Sequence, residues 1–174
     1  MIKNNTARPQ PLWTAAGIVI AAGIAAVFAA TACAAGAGAS DATASAGASL
    51  FANHCAVCHG PEAEGIPGSF PSLHEQVVAF AKMPQGRDYL IMVVTTGLMG
   101  SLKVAGVSYN GVMPAQSGLS ETDVAAVLNY LAGDLGKHDL GAAALSAADV
   151  IGARARHPDR AAQSTRALRP GSDP

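Results

Sequence analysis

The apolar positions along the chain predict one clear amphipathic helix near residue 125. Four aliphatic residues repeat at helical spacing and share one face: Val124, Val127, Leu128 and Leu131. Ser120 precedes this stretch and Asp123 follows three residues later, an arrangement typical of a helix N-cap. Gly133 or Gly136 can end the helix.

Weaker patterns predict two further helices and one β-hairpin. The first helix is expected over residues 45–55 and another over residues 87–96, where Gly97 stops it. Side chains alternate on either side of Ala105-Gly106, which favours a short hairpin centred there. The chain is therefore expected to be all-α in class, with three to four short helices and this hairpin as its one β element.

The N-terminal segment is typical of an exported protein. Lys3 and Arg8 precede an uncharged stretch over residues 12–32, which is a basic region followed by an apolar one. As a helix this stretch would extend about 31 Å, close to the hydrocarbon thickness of a bilayer. Residues 1–33 are therefore expected to be a signal peptide or a membrane anchor, with lipidation at Cys33 as a further alternative. Each alternative places the rest of the chain in the periplasm.

Two further segments differ in composition from the rest. Residues 34–46 are small, with no periodic apolar residue, so a flexible linker is expected there. Residues 142–174 carry five arginines and three aspartates, whereas residues 41–141 carry four bases and nine acids. This basic C-terminal extension is interpreted as solvated and partly disordered, with docking of a partner protein as the alternative. A domain over residues 47–141 lies between them.

Charge and composition exclude nucleic-acid binding. The 174 residues have a formal net charge of −1, and no basic stripe is interleaved with aromatic residues. Only 5% of the residues are aromatic, so the core must be small.

The motif Cys55-x-x-Cys58-His59 carries the chemistry. Two thiols at this spacing can add across the two vinyl groups of a haem, and the adjacent histidine then ligates one face of the iron. A thioredoxin-like dithiol is one alternative, but it gains nothing from His59. Half of a zinc site is another, but no cysteine follows Cys58 to complete it. The sequence therefore predicts one covalently bound haem c.

The iron needs a second axial ligand on the opposite haem face. Met113 is favoured because it lies in a turn-rich stretch, where a loop can bring a thioether to iron without distorting a helix. Met92 lies in an apolar stretch that favours a position in the core. Met99 and His74 stay open as alternatives.

Over approximately residues 47–135 the sequence resembles the class I (mitochondrial-type) monohaem cytochromes c. Gly47 and Phe51 precede Cys55 at the spacing found in that family. The resemblance implies a class I cytochrome c fold around one covalently bound haem. It also implies that the first and last helices cross at Gly47, with Phe51 and Tyr130 filling the crossing.

The resemblance implies further roles around the haem. His59 and Met113 would be the axial ligands, and the Pro71 carbonyl would accept a hydrogen bond from His59 Nδ1. Leu73 would pack on the haem face. The family's tryptophan that bonds a haem propionate has no counterpart, because the single tryptophan is Trp13.

These features predict a periplasmic electron carrier and not an enzyme, since no recognisable constellation of acid, base and nucleophile is present in the sequence. Residues 97–114 and the C-terminal extension also resemble the small cytochrome subunits of periplasmic dehydrogenases. The implied partners are redox proteins, with a dehydrogenase as donor and a cytochrome or oxidase as acceptor. The alternative function is a haem enzyme or gas sensor with a labile sixth ligand.

Covalent attachment through Cys55 and Cys58 predicts that haem stays on the denatured chain. We expect acid-acetone treatment to leave one haem per chain in the protein pellet, measured by absorbance and by mass. A double variant, Cys55→Ser with Cys58→Ser, is the control and should release its haem into the extract. Free haem from the wild-type protein would contradict the attachment.

Overall fold

The computed structural model describes residues 35–137, 140 and 144–171. Its contacts divide the chain into two units, residues 1–36 and 37–174. Among the described residues, the helices and strands lie in the second unit, except the first two residues of α1. The signal peptide or membrane anchor expected over residues 1–33 lies outside the described residues.

Helices dominate the described residues, and one antiparallel pair of strands interrupts them. The helices are α1 (Ala35–His54), α2 (Ala56–His59), α3 (His74–Ala81), α4 (Pro84–Thr96), α5 (Glu121–Asn129), α6 (Ala147–Arg156) and α7 (Ala162–Ala167), with a π-helical turn (Tyr130–Asp134) after α5. The strands are β1 (Leu98–Val104) and β2 (Val107–Met113). The mainly helical class agrees with the sequence prediction. In the described ranges no helix is both long enough and apolar enough to cross a membrane.

The first helix begins earlier than the sequence pattern predicts. The flexible linker expected over residues 34–46 is wrong from Ala35 onwards, because α1 starts there. These residues are rich in alanine, the strongest helix former, and contain no proline. Helix propensity therefore outweighs the absence of apolar periodicity in this segment.

α1 approaches α5 closely at Gly47. A Cβ on Gly47 would lie 2.5 Å from the Ala126 carbonyl oxygen, so only glycine permits this approach. The rings of Phe51 and Tyr130 pack beside it with centroids 5.8 Å apart. The N-cap predicted at Ser120 is confirmed as a capping box with the third residue of α5.

The hairpin is longer than the sequence predicts. Its turn is at Ala105 and Gly106 as expected, and both have a positive φ, 48° and 82°, as a two-residue type I′ turn requires. The pairing extends to Leu98 opposite Met113. The stretch before Met113, expected to be a turn-rich loop, is therefore β-strand. Gly111, which suggested a turn, pairs within the ladder instead.

The described part of the C-terminal extension, residues 144–171, is folded, which corrects the expectation of a solvated and partly disordered segment. Ser146 and Asp149 form a capping box at the start of α6, and Val150 and Ala153 are fully buried one turn apart. α6 packs against α4 and α5, and α7 packs against β1 and α4. Two apolar positions are enough for a helix once a neighbouring surface buries them.

Polar contacts attach the extension to the domain. Asn129 accepts a hydrogen bond from the backbone N–H of Leu145 at 2.7 Å and donates one to its carbonyl at 2.8 Å. Arg156 donates to both oxygens of Asp88, at 2.6 and 2.8 Å. His157 Nε2 lies 3.0 Å from the same carboxylate. Asp88 therefore anchors the C-terminal end of α6 to α4.

Gly47→Ala should lower the free energy of unfolding by about 1–3 kcal/mol, because the added methyl group would overlap the backbone of α5. Urea unfolding followed by circular dichroism measures this change. Gly118→Ala is the control, since its new methyl group would meet nothing within 4 Å. The control should leave the free energy of unfolding nearly unchanged. An unchanged midpoint for Gly47→Ala would contradict the close approach.

Acid should weaken the attachment of α6 through Asp88. The hydrogen bond from Arg156 holds the pKa of Asp88 below its ordinary value. The carboxylate therefore stabilises the fold above the unfolded-state pKa of about 4, and this contribution is lost as the pH falls through the lower folded-state pKa.

Asp88→Asn tests this dependence. At pH 7 it should lower the free energy of unfolding by about 1 kcal/mol or less, because the Arg156 side chain is more than half exposed. The difference from wild type should be smaller at about pH 2, because the wild-type carboxylate takes up its proton as the pH falls through its lowered pKa. Urea titrations at the two pH values measure it, and an equal difference at both would contradict the assignment.

Candidate functional site

One apolar cleft collects most of the residues that the sequence singles out. Cys58, His59, Pro71 and Leu73 line one side of it, and Met113 lines it from the end of β2. Cys55 is half-buried against the hydrophobic core and is not among the described residues that line the cleft. The structure therefore brings residues separated by more than 50 positions into one site.

The two cysteines and the histidine share one tight turn. Cys55 is the N-cap of α2, and its carbonyl oxygen accepts hydrogen bonds from the backbone N–H groups of Cys58 at 3.1 Å and His59 at 3.0 Å. Gly60 ends this helix with a positive φ of 80°. A single helical turn thus fixes the spacing of the two thiols and the imidazole.

His59 is buried and held by the backbone. Its Nδ1 lies 2.9 Å from the Pro71 carbonyl oxygen, which is the hydrogen bond expected from the sequence. Nδ1–H donates in the neutral ring, which leaves the lone pair on Nε2. Burial lowers the pKa of His59, and the bond to Pro71 only partly opposes this. At neutral pH the ring is therefore a neutral, oriented imidazole.

The loop over residues 60–73 positions the Pro71 carbonyl. The Gly65 N–H donates to the His59 carbonyl at 2.7 Å, and a Cβ on Gly65 would lie 2.5 Å from the Phe70 carbonyl oxygen. The Leu73 N–H donates to the Ala63 carbonyl at 2.9 Å. Sequence reasoning missed Gly65, although the stretch Gly-Ile-Pro-Gly signals a turn.

The Cys55 thiol is protonated in this environment. Burial, with Cys58 adding to the effect, raises the pKa of Cys55 to about 11. Neither Cys55 nor Cys58 is in a disulfide. Both thiols are therefore available to form thioethers.

Met113 is held on the other side of the cleft by the end of α4. Gly97 has a φ of 86°, and a Cβ there would lie 2.6 Å from the Met113 carbonyl oxygen. The Gln116 N–H donates to the Val94 carbonyl at 2.8 Å. These contacts fix the chain on both sides of Pro114. Sequence reasoning assigned Gly97 only as a helix stop and missed Gln116.

The alternative distal ligands lie elsewhere. Met92 is fully buried in the core, and Met99 and Met83 are each 37% exposed outside the cleft. His74 bonds the backbone carbonyl of Glu62 and faces a different cavity. Within the described residues, Met113 is the methionine that lines the cleft.

The rest of the cleft suits a flat apolar group. Its lining includes aliphatic and aromatic side chains from α3, α4 and β1: Val77, Phe80, Leu90, Val93, Leu98 and Leu102. Two thiols, one imidazole and one thioether are the donor set that haem c requires. These residues therefore fit covalently bound haem.

Arg169 also lines this cleft, and sequence reasoning did not assign it there. It lies beyond α7 in the C-terminal extension. The signal available in the sequence was only an excess of arginine in a segment interpreted as solvated.

Comparison with known proteins agrees with this geometry. The sequence profile of the family Cytochrome c matches residues 44–133. Two curated relatives are both called cytochrome c-552, and both come from Thermus thermophilus. Each is 44% identical over 86 residues, which is 49% of this chain. The chain spans 65% of one relative and 57% of the other, less than two thirds of either.

The matched region covers just over half of the chain and contains the whole thiol and imidazole motif as well as Met113. The chain therefore belongs to the cytochrome c family as a class I monohaem member, and haem c is its covalently bound cofactor.

Proposed function

We propose that this chain is a periplasmic carrier of single electrons whose haem iron is held by His59 and Met113. The observation that carries the proposal is that an oriented neutral imidazole and a thioether line the same apolar cleft. Haem c bound there supplies a one-electron couple between ferrous and ferric iron. Cys55 and Cys58 are the proposed attachment points.

Each proposed ligand is oriented by backbone contacts. The Pro71 carbonyl holds the ring of His59, and the close packing of Gly97 and the hydrogen bond of Gln116 hold the chain beside Met113. A thioether favours ferrous iron, so the reduction potential should be relatively high. Leu73 lines the cleft beside Pro71 and would pack against the haem and help to exclude water.

The proposed partners are redox proteins, a dehydrogenase as donor and a cytochrome or oxidase as acceptor. A potential raised by methionine suits acceptance of electrons from a dehydrogenase. The proposed location in the periplasm, with or without a membrane tether, rests on the basic and apolar character of residues 1–33.

A haem enzyme or gas sensor is the competing function, and it needs an open or labile sixth position. Within the described residues, the position of Met113 in the cleft favours a carrier. Backbone contacts fix the chain on both sides of Met113, which opposes release of its thioether from the iron.

Replacement of Met113 tests both the ligand and the function. Wild-type ferric protein should show the near-infrared band of iron–thioether bonding, and its ferrous form should bind carbon monoxide weakly or slowly. Met113→Ala should lose the band and bind carbon monoxide readily, because the sixth position becomes open. Met113→His should lose the band, remain low-spin and have a lower reduction potential, because imidazole favours ferrous iron less than a thioether does.

Met99→Ala is the matched control, since Met99 also lies in the hairpin but outside the cleft. It should keep the band and the wild-type potential. Persistence of the band in Met113→His would show that another residue is the ligand. Rapid carbon monoxide binding by the wild-type protein would favour the enzyme or sensor.

A further inference from the structure

The two strands of the hairpin differ in what covers their outer edges. A two-residue turn joins them, so alternate residues of each strand bond to the other strand and the residues between them point their backbone groups away from it. On β1 the outward carbonyls of Ser101 and Lys103 accept hydrogen bonds from Arg166 and Arg169, each at 2.9 Å. The C-terminal extension therefore covers the edge of β1.

The outer edge of β2 lacks such a cover among the described residues. By the same alternation, the backbone groups of Ser108, Asn110 and Val112 point outwards from this strand. In the described parts of the chain no hydrogen bond reaches these groups, and β1 is the described element against which β2 packs. A Cβ on Gly111 would meet nothing within 4 Å. This edge is thus a row of backbone donors and acceptors that another strand can reach.

β2 also lacks the features that protect an exposed edge. Edge strands of natural proteins commonly carry charged side chains, proline or a bulge, which prevent pairing with another chain. Residues 107–113 contain neither a charge nor a proline, and their pairing with β1 runs without a bulge. Val107 and Val112, near the two ends of the strand, are 38% and 61% exposed. Such an edge favours the addition of a further β-strand.

A second copy of the same strand fits this edge. Two antiparallel copies are related by a two-fold axis, and the midpoint of residues 107–113 is Asn110. Because Asn110 is one of the outward-facing residues, both strands can pair over their full length, with about six backbone hydrogen bonds between them. In this register Asn110 lies opposite its own copy, and Ser108 lies opposite Val112. Since β2 is uncharged, the pairing brings no like charges together.

We propose that two copies of this chain associate through β2, so that their hairpins form one four-stranded antiparallel sheet with Asn110 on the two-fold axis. The assembly closes at two copies, because the extension already covers β1 at the outer edges of the new sheet. Pairing along one strand of about 23 Å makes a small interface, so the dimer forms at high protein concentration and separates on dilution. The inference does not depend on which residues ligate the haem iron.

Sedimentation velocity of the holoprotein at increasing concentration tests this pairing. The wild-type mass should rise from one chain to two between about 10 µM and 1 mM, the range expected for a small interface. Asn110→Lys should weaken the association by about fivefold or more, because it places two like charges directly opposite each other at the axis.

Ser101→Lys is the matched control. Ser101 lies opposite Asn110 in the pairing of β1 with β2, and both residues are exposed. The control should associate as the wild type does, because the two β1 strands lie at the far edges of the proposed sheet and their new charges are screened from each other.

A mixture of opposite charges separates the pairing from damage to the strand. Asn110→Asp alone should be weakened as Asn110→Lys is, because two carboxylates then meet at the axis. An equal mixture of the two variant proteins should associate again, since a lysine then lies opposite an aspartate. A strand disrupted by either substitution would not regain association in this way.

The pairing would be overturned by a wild-type protein that remains a single chain at the highest concentration or that grows beyond two chains. It would equally be overturned if Asn110→Lys associates as strongly as the wild type, or if the mixture stays monomeric while circular dichroism shows both variants to be folded. The iron–thioether band is measured separately in each case. Failure of the dimer with the band retained leaves the proposed function intact, whereas loss of the band in the wild type contradicts that function alone.

Discussion

The hydrogen bond between His59 Nδ1 and the Pro71 carbonyl is the constraint on which the site depends. It fixes both the orientation of the ring and the nitrogen that carries the proton. The carbonyl can face the ring only because the preceding loop turns tightly at Gly65, where any side chain would collide with the backbone of Phe70. Burial favours the same neutral form of the ring by lowering the pKa of His59. Backbone conformation and burial thus orient His59 and keep it neutral without any contribution from the cofactor.

The composition of the chain explains why the C-terminal extension has to fold. With aromatic residues at only 5%, the domain has few large side chains with which to cover a wide apolar cleft. Val150 and Ala153 of α6 add completely buried surface, and α7 packs against β1 and α4. Burial of apolar surface contributes about 25 cal/mol per Å², so even two small helices offset part of this deficit. The extension therefore belongs to the domain and does not merely follow it.

Features that depend on nearby residues could be predicted from the sequence. Residues only a few positions apart determine each of three such features: the spacing of Cys55, Cys58 and His59, the cap at Ser120 and the turn at Ala105. The length of the hairpin was missed because Gly111 favours turns in isolation, whereas the ladder pairs it with Gly100. The helical start of α1 was missed because the segment has no periodic apolar residues, whereas the helix propensity of its alanines is high.

What could not be predicted depends on long-range contacts. An arginine near a C-terminus is ordinarily solvated, and only the packing of α7 on β1 places Arg169 beside Phe80 and Gln76, which lie about 90 positions earlier. The same holds for Gln116, whose backbone bond to Val94 fixes the strand end near Met113. The local motif identifies the cofactor, whereas its surroundings are built from segments with no motif of their own.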